Sequence, residues 1–322
     1  MSWAFVKSIW TQWYPPPPTF TEKDLQDQTG KVFIITGANS GIGFELAKLL
    51  YPHGATIYLA GRNEARMNEA IDSIKSSSHP ATPAILKYLY LDLEDLQTVR
   101  SAVQAFTAQE SKLDVLWNNA GMACAPPGTS TKQGFEGHVG TNCIAPLLFT
   151  QLLVPQLRNA AEDAPKGSVR VVWTGSAMVD THSKPAGVDF TAIEAGKTID
   201  AMTDYASSKV GNWFLCNEAA KAWGPYGVYS VVQNPGNLTT RAYRYQPWLL
   251  MKVVNLFVLY PAVYGAYTLL YSAFDGEVQN GEFIWPWGRK ARSERKDIHE
   301  AIEKGAAERF WTWCEEKGRT FA

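Results

Sequence analysis

Tyr205 and Lys209 stand four residues apart in Tyr205-Ala206-Ser207-Ser208-Lys209, a spacing that puts two side chains on one face of a helix. A phenol titrates at about pH 10 and is by itself a poor proton relay at neutral pH. A neighbouring ammonium favours the phenolate and lowers that value. Lowering it by ~2–3 pH units corresponds to ~3–4 kcal/mol of differential interaction. Tyr205 would then serve as a general acid or base near working pH. The spacing is common on surface helices, so the pair acquires meaning only from the elements that position it.

Lys31-Val32-Phe33-Ile34-Ile35-Thr36 is a β-branched and aromatic run that reads as a buried strand. It runs into Gly37-Ala38-Asn39-Ser40-Gly41-Ile42-Gly43 and then into the helical pattern Phe44–Leu50. Strand, glycine loop and helix in that order point to a dinucleotide site, the alternative being a tight turn between strand and helix. Glycines let the backbone approach a pyrophosphate, and the free N–H groups of the helix start face its charge. Gly37, Asn39, Ser40, Gly41, Ile42 and Gly43 are therefore candidate cofactor contacts. The spacing G-x-x-x-G-x-G differs from the commoner G-x-G-x-x-G. A second strand, Ala55–Ala60, leads to Gly61-Arg62-Asn63. A carboxylate here would bind the ribose hydroxyls of NAD, whereas Arg62 offers a guanidinium to the 2′-phosphate of NADP. The alternative is a solvated arginine at a helix start, with Asn63 as the cap.

The βα alternation continues. Tyr88–Leu91 ends at Asp92-Leu93, and Leu113–Trp117 ends at Asn118-Asn119-Ala120-Gly121. Ligands in open α/β sheets bind beyond the carboxyl ends of strands, which makes Asp92, Leu93, Asn119, Ala120 and Gly121 candidates. Asp92 either accepts from an adenine amine or caps the following helix. Val169–Thr174 ends at Gly175-Ser176, which brings the Ser176 hydroxyl to the same edge. Val228–Gln233 leads into Asn234-Pro235-Gly236-Asn237-Leu238-Thr239-Thr240. Phe135–Leu157 reads as one long helix with Asn142, a weak helix former, near its middle. Ala206–Trp223 continues the helix begun at Tyr205. Arg241–Phe274 is aromatic and aliphatic, but Lys252, Asn255 and Pro261 interrupt it. Two amphipathic helices broken at Pro261 fit it better than a membrane span. Gly281–Arg289 reads as an edge strand and turn, and Glu300–Cys314 as a terminal amphipathic helix.

Thr36–Gly43, Asp92, Asn118–Gly121 and Tyr205–Lys209, in this order over most of residues 31–240, resemble the short-chain dehydrogenase/reductase family, in particular its fungal and retinol-dehydrogenase-like members. The resemblance implies a single α/β domain with a Rossmann-type, doubly wound parallel sheet and NAD(P)-linked hydride transfer. It implies a catalytic set of Asn142, Ser176, Tyr205 and Lys209, with Tyr205 and Lys209 also touching the cofactor. Asn142 would loosen its helix to hold a water linking Lys209 to solvent. Pro235, Gly236 and Thr240 match the family's P-G-x-x-x-T and would surround the nicotinamide end, with Leu238 adding a backbone contact. Residues of about 241–260 would form a substrate lid, with Tyr243, Tyr245, Trp248, Leu249 and Met251 lining an apolar pocket. One departure stands out: Ser176 and Tyr205 are 29 positions apart (205 − 176), a wider gap than in many members. The extra segment, about Asp180–Thr203, carries His182, Asp189 and Glu194 and reads as a surface excursion over the active-site mouth.

The 322 residues are 46% apolar and 19% charged, enough for one large α/β domain with an ample core. A net charge of −1 provides no basic field for a nucleic-acid partner. Cys124, Cys143, Cys216 and Cys314 show no metal spacing and read as small buried hydrophobes in a reducing, cytoplasmic setting; no metal is expected. Residues 1–29 read as an arm before a domain of residues 30–322. Met1–Trp13 is aromatic with one charge, Lys7, and lacks a signal-peptide pattern; Pro15–Pro18 is a stiff polyproline spacer. The arm is expected to pack Trp3, Trp10 and Trp13 on the body or a partner, with membrane-surface contact as the minor alternative. The combined expectation is an NADP(H)-dependent oxidoreductase acting on a carbonyl or alcohol of a lipophilic small molecule. The arm, the N-P-G-N-L turn and the W-P-W-G-R ending are similar to fungal members, including enzymes of secondary metabolism. Homodimer and monomer both stay open. The alternatives are a non-redox nucleotide-sensing or interaction module, and an isomerase or cyclase, on the same fold.

Overall fold

The run Val32–Thr36 forms β1, buried at every position, in a computed structural model that describes residues 3–239 and 259–322. It pairs in parallel with β2 (Thr56–Gly61) on one side and β4 (Val115–Asn118) on the other. Such a strand has no solvent face, which is why its sequence is continuously apolar rather than alternating. The pleat still sorts its side chains: Val32 and Ile34 join one core cluster, Phe33 and Ile35 the other. β3 (Ile85–Tyr90) extends the sheet beyond β2. β5 (Val169–Thr174), β6 (Val228–Gln233) and β7 (Phe283–Trp285) extend it beyond β4, all in parallel. The short β8 (Arg289–Lys290) finishes the edge antiparallel. The order β3-β2-β1-β4-β5-β6-β7-β8 changes direction between β1 and β4. This is the doubly wound, Rossmann-type arrangement, and it opens a crevice beyond the carboxyl ends of those two strands.

Helices cover both faces. Gly41–Leu50 and Ala262–Phe274 pack over Phe33, Ile35 and Trp117. Leu96–Thr107, Ala201–Trp223 and Ala306–Gly318 share the opposite core with Trp173, Phe149 and Phe310. The helix of Tyr205 begins at Ala201, where the Asp200 carboxylate caps the N–H groups of Met202 and Thr203. Ala262–Phe274 starts directly after Pro261, where the sequence predicts a break. Thr240 and the expected lid residues Tyr243, Tyr245, Trp248, Leu249 and Met251 lie outside the described residues. Among the described residues, no helix is long and apolar enough to cross a membrane.

Three expectations need correction. The single helix expected over Phe135–Leu157 is segmented: Gly137–Val139, a π turn over Gly140–Ile144, then Ala145–Leu152 and Val154–Glu162. The terminal helix is two, Lys296–Glu303 and Ala306–Gly318, because Gly305 between them adopts φ +88°. The Asp180–Thr203 segment lies mostly at the surface and borders the cavity through Thr181, His182 and Met202, as expected of an excursion over its mouth, but it is anchored. It contains a helix over Phe190–Glu194, its Asp180 is buried, and the Arg295 guanidinium ties down Val179 O, Ser183 Oγ and Lys184 O. Finally, the arm forms a helix, Trp3–Trp13, in which Trp13 borders the body's main cavity but Trp3, 81% exposed, and Trp10, 65% exposed, do not pack on the body. Its buried face carries Ser8 and Gln12, one turn apart, because the surface it meets offers polar partners.

Candidate active site

The carboxyl ends of the parallel strands converge on one cavity of about 560 Å³. Gly37, Asn39, Ser40, Gly41 and Ile42 reach it from β1, Arg62 from β2, and Asp92 and Leu93 from β3. Asn119, Ala120 and Gly121 enter from β4, Ser176 from β5, and Pro235, Gly236 and Leu238 from β6; Tyr205 and Lys209 face it from their helix. Gly43 and Asn142 stand outside this lining.

The glycine loop owes its shape to close approach. A Cβ on Gly43 would sit 2.7 Å from both the Gly37 carbonyl oxygen and Asn119 Nδ2. Gly37, at φ +69°, brings its backbone to where a Cβ would lie 3.1 Å from Ala120. Ser40 occupies the cap of the Gly41–Leu50 helix in an extended conformation and makes no side-chain cap bond, so the first-turn N–H groups keep no internal side-chain acceptor. Thr36 Oγ accepts from the N–H groups of Asn119 and Ala120, each at 2.9 Å, and donates to Trp117 O at 3.1 Å. Asn119 Nδ2 donates to Thr36 O at 2.8 Å, so this side chain braces the two loops against each other. The bracing role of Thr36 escaped the sequence reading; a hydroxyl at the last position of a buried strand was the available signal.

At the outer end, Arg62 Nη1 lies 2.6 Å from Glu94 Oε1 and 3.9 Å from Asp92 Oδ1, with its side chain about half exposed. Asp92 is not the cap of the next helix. Asp95 fills that place, accepting from Gln97 N at 3.1 Å, while Asp92 Oδ1 accepts from Glu94 N at 3.0 Å. Asn63 does cap its helix, accepting from Arg66 N at 2.9 Å. Arg66, in the first turn of the helix that Asn63 caps, also borders the cavity; a second arginine so close to Arg62 was visible in the sequence but was not singled out.

At the inner end, Lys209 is buried and its Nζ donates to Thr174 O at 2.9 Å, 5.6 Å from the centre of the Tyr205 ring. Burial lowers its pKa to about 8. The π turn around Asn142 opens the regular hydrogen-bond ladder of the helix at this point. Asn142 Oδ1 accepts from Met122 N at 2.7 Å, and its Nδ2 donates to Met122 O and Ser208 Oγ, both at 2.9 Å. Ser176 Oγ accepts from Met178 N at 3.2 Å. His138 meets the Tyr205 ring edge-on at 6.1 Å. Its Nδ1 is 2.7 Å from Glu136 Oε1 and its Nε2 accepts from Ala125 N at 3.0 Å, which assigns the proton to Nδ1. Burial raises the Glu136 pKa, but hydrogen bonds from the His138 ring and from the N–H groups of His138 and Val139 outweigh it and hold it below the ordinary value. This buried pair behind Tyr205 was not singled out from sequence. His182 borders the cavity from a position beside Thr181, whose hydroxyl is 2.7 Å from its Nδ1.

The arrangement fits a dinucleotide. The glycine cradle excludes even a methyl group, and the first helical turn keeps its donors. Asn237 Nδ2 and Thr141 Oγ are buried at the cavity with no hydrogen-bond partner among the described residues, a costly state that a polar ligand would relieve. No group of three or more His, Cys, Asp or Glu among the described residues is placed to hold a metal ion. The four cysteines are free thiols, three buried and Cys124 half-buried.

The sequence pattern described as short chain dehydrogenase matches residues 31–186. A relative named short-chain dehydrogenase/reductase iacJ, from Pestalotiopsis fici, is 54% identical over 314 residues, covering 96% of each chain. Among solved structures, an NADP active-site complex of RhlG from Pseudomonas aeruginosa superposes with a TM-score of 0.62 at 22% identity, covering 80% of this chain and 95% of that one. A 3-ketoacyl-(acyl-carrier-protein) reductase from Brucella melitensis complexed with NADH superposes with a TM-score of 0.61 at 20% identity, covering 82% and 100%.

Proposed function

The chain belongs to the short-chain dehydrogenase/reductase family, and from that premise we propose that it is an NADP(H)-dependent oxidoreductase interconverting a carbonyl and an alcohol on a lipophilic small molecule. The observation that carries the reading is the buried Lys209 ammonium beside the Tyr205 ring, in the cavity that also receives the glycine loop. The Gly37–Gly43 loop would hold the pyrophosphate, Asp92 and Leu93 the adenine, and Arg62 with Arg66 a 2′-phosphate once Glu94 shares its partner. Asn119, Ala120, Gly121, Pro235, Gly236, Leu238 and Thr240 would enclose the nicotinamide half, with Tyr205 and Lys209 at its ribose. When bound, the nicotinamide supplies or accepts the hydride.

The chain's own residues handle the proton. In reduction, the Tyr205 hydroxyl donates to the substrate oxygen, and in oxidation it takes the proton back. The Lys209 ammonium favours the phenolate that is left behind. The Ser176 hydroxyl holds the same oxygen in place, and Asn142, at the opened helix turn, keeps a water path from Lys209 to solvent. Met122, Met178 and Met202 on the cavity wall favour an apolar substrate body. The likeness of the arm and of the W-P-W-G-R ending to fungal members supports a place in secondary metabolism. The test is NADPH oxidation followed by absorbance over a panel of hydrophobic ketones and aldehydes. Tyr205→Phe is expected to lower kcat by about 10²–10⁴ while NADPH still binds; undiminished turnover overturns the reading.

A further inference from the structure

We propose that the N-terminal helix is a wall of the substrate end of this cavity: Trp13 limits the size of substrate admitted, and Gln12 is the positioning residue that holds Trp13 there. The proposal rests on the oxidoreductase reading above and adds a determinant from outside residues 31–186, which carry the family pattern.

Gln12 is only 1% exposed although it belongs to a terminal arm. Its Nε2 donates to Asp180 Oδ2 at 2.7 Å and to Ser8 Oγ at 3.4 Å; its Oε1 accepts from Asn234 Nδ2 at 2.9 Å. Asp180 Oδ1 accepts from Ser293 Oγ at 2.7 Å, and Asn234 Oδ1 accepts from Gly236 N at 3.0 Å. One buried amide thus joins the arm to the segment after Ser176 and to the Asn234-Pro235-Gly236 turn. Burying an amide costs free energy unless its donors and acceptor are met, so the seat is specific rather than adhesive. Trp3 and Trp10 on the same helix are exposed and add nothing to this seat. Further along, Arg289 Nη2 donates to Pro17 O at 2.6 Å and Thr19 Oγ donates to Gly288 O at 2.8 Å.

Trp13 lies between these two anchorages. It borders the cavity and is 37% exposed, which places it at the mouth. The partners of the adjacent Gln12 put it at the inner end, with Asn234 and Thr181, and away from Arg62 and Arg66. A tryptophan there is a broad, stiff partition. Because Gln12 bonds the residue that also shapes the Pro235-Gly236 turn, the arm and that turn are expected to loosen together.

Two measurements on the full-length chain test this. The first is ligand-free amide hydrogen exchange of Gln12→Glu, which faces a carboxylate with the Asp180 carboxylate, and of Gln12→Ala should the first variant not fold. Exchange is expected to rise about tenfold in both the arm and residues 234–238; a rise confined to the arm overturns the coupling. The second compares acetophenone with octanophenone as substrates. In Trp13→Ala the octanophenone-to-acetophenone ratio of kcat/KM is expected to rise about tenfold, through KM rather than kcat, with Trp13→Phe restoring most of the wild-type ratio. An unchanged ratio in a folded, NADPH-binding variant overturns the role of Trp13. If the wild type reduces neither ketone, that counts against the oxidoreductase reading with this substrate class, and the exchange measurement alone decides the arm.

Discussion

Lys209 carries a conflict between stability and chemistry. Its side chain is buried, and burial depresses its pKa from 10.5 to about 8. Below pH 8 the lysine is charged in both the folded and unfolded states; between 8 and 10.5 the unfolded chain binds more protons. Its contribution to stability therefore rises with pH across that window, and at neutral pH the buried charge costs about 3 kcal/mol. Asn212 Nδ2 also donates to Thr174 O, at 2.9 Å, so removing the ammonium does not orphan that carbonyl. Lys209→Met is accordingly expected to unfold at higher denaturant at pH 7, by about 1–3 kcal/mol, while losing carbonyl reduction. For the wild type, kcat/KM for reduction is expected to fall as pH rises through about 8, because the ammonium is lost on that side. A stabilised and fully active Lys209→Met, or a rate that climbs through that range, would contradict the assignment.

The elements place chemistry by where they stop. Each parallel strand from β1 to β6 delivers its carboxyl end to the same edge, and the residue just beyond it borders or braces the cavity. The closest fit is between the glycine loop and the loop after β4. Gly43→Ala would drive a methyl into the backbone oxygen of Gly37 and into Asn119 Nδ2, each 2.7 Å away; the first is backbone, and the second is held by its bond to Thr36 O. The expected result is a loss of about 1–3 kcal/mol in stability and a larger proportional loss in NADPH affinity, read by fluorescence titration. Alanine tolerated with unchanged affinity would mean that the loop does not cradle the cofactor.

In the whole molecule, cofactor binding reports on the folded state by mass action. NADP+ at about one hundred times its Kd adds about 2.7 kcal/mol. For a chain of this size that corresponds to a rise in Tm of about 4 °C. NAD+ at the same concentration is expected to raise Tm less, and Arg62→Ala to narrow the difference, because the guanidinium that Glu94 now holds at 2.6 Å is the proposed partner of the 2′-phosphate. Equal shifts from the two dinucleotides in the wild type would remove the case for NADP.

Local patterns in the chain were sufficient for the order of strands and helices, the glycine loop and the edge on which the motifs gather. Those features rest on short-range physics: β-branched runs make buried strands, glycine permits close backbone approach, and a helix starts directly after Pro261. Helix breaks were less legible. The π turn at Asn142 answers to Met122 and Ser208, both distant in sequence, and Gly305 splits the last helix by a backbone angle that composition only hints at. Tertiary structure alone decided the polar contacts. Gln12 finds Asp180 and Asn234 across 168 and 222 positions, and the half-exposed Arg62 finds Glu94. Trp3 and Trp10, expected inward on hydrophobicity, are exposed while Gln12 is buried, because a buried amide is satisfied only by partners at fixed distance and angle, and those partners set which face of the helix turns inward.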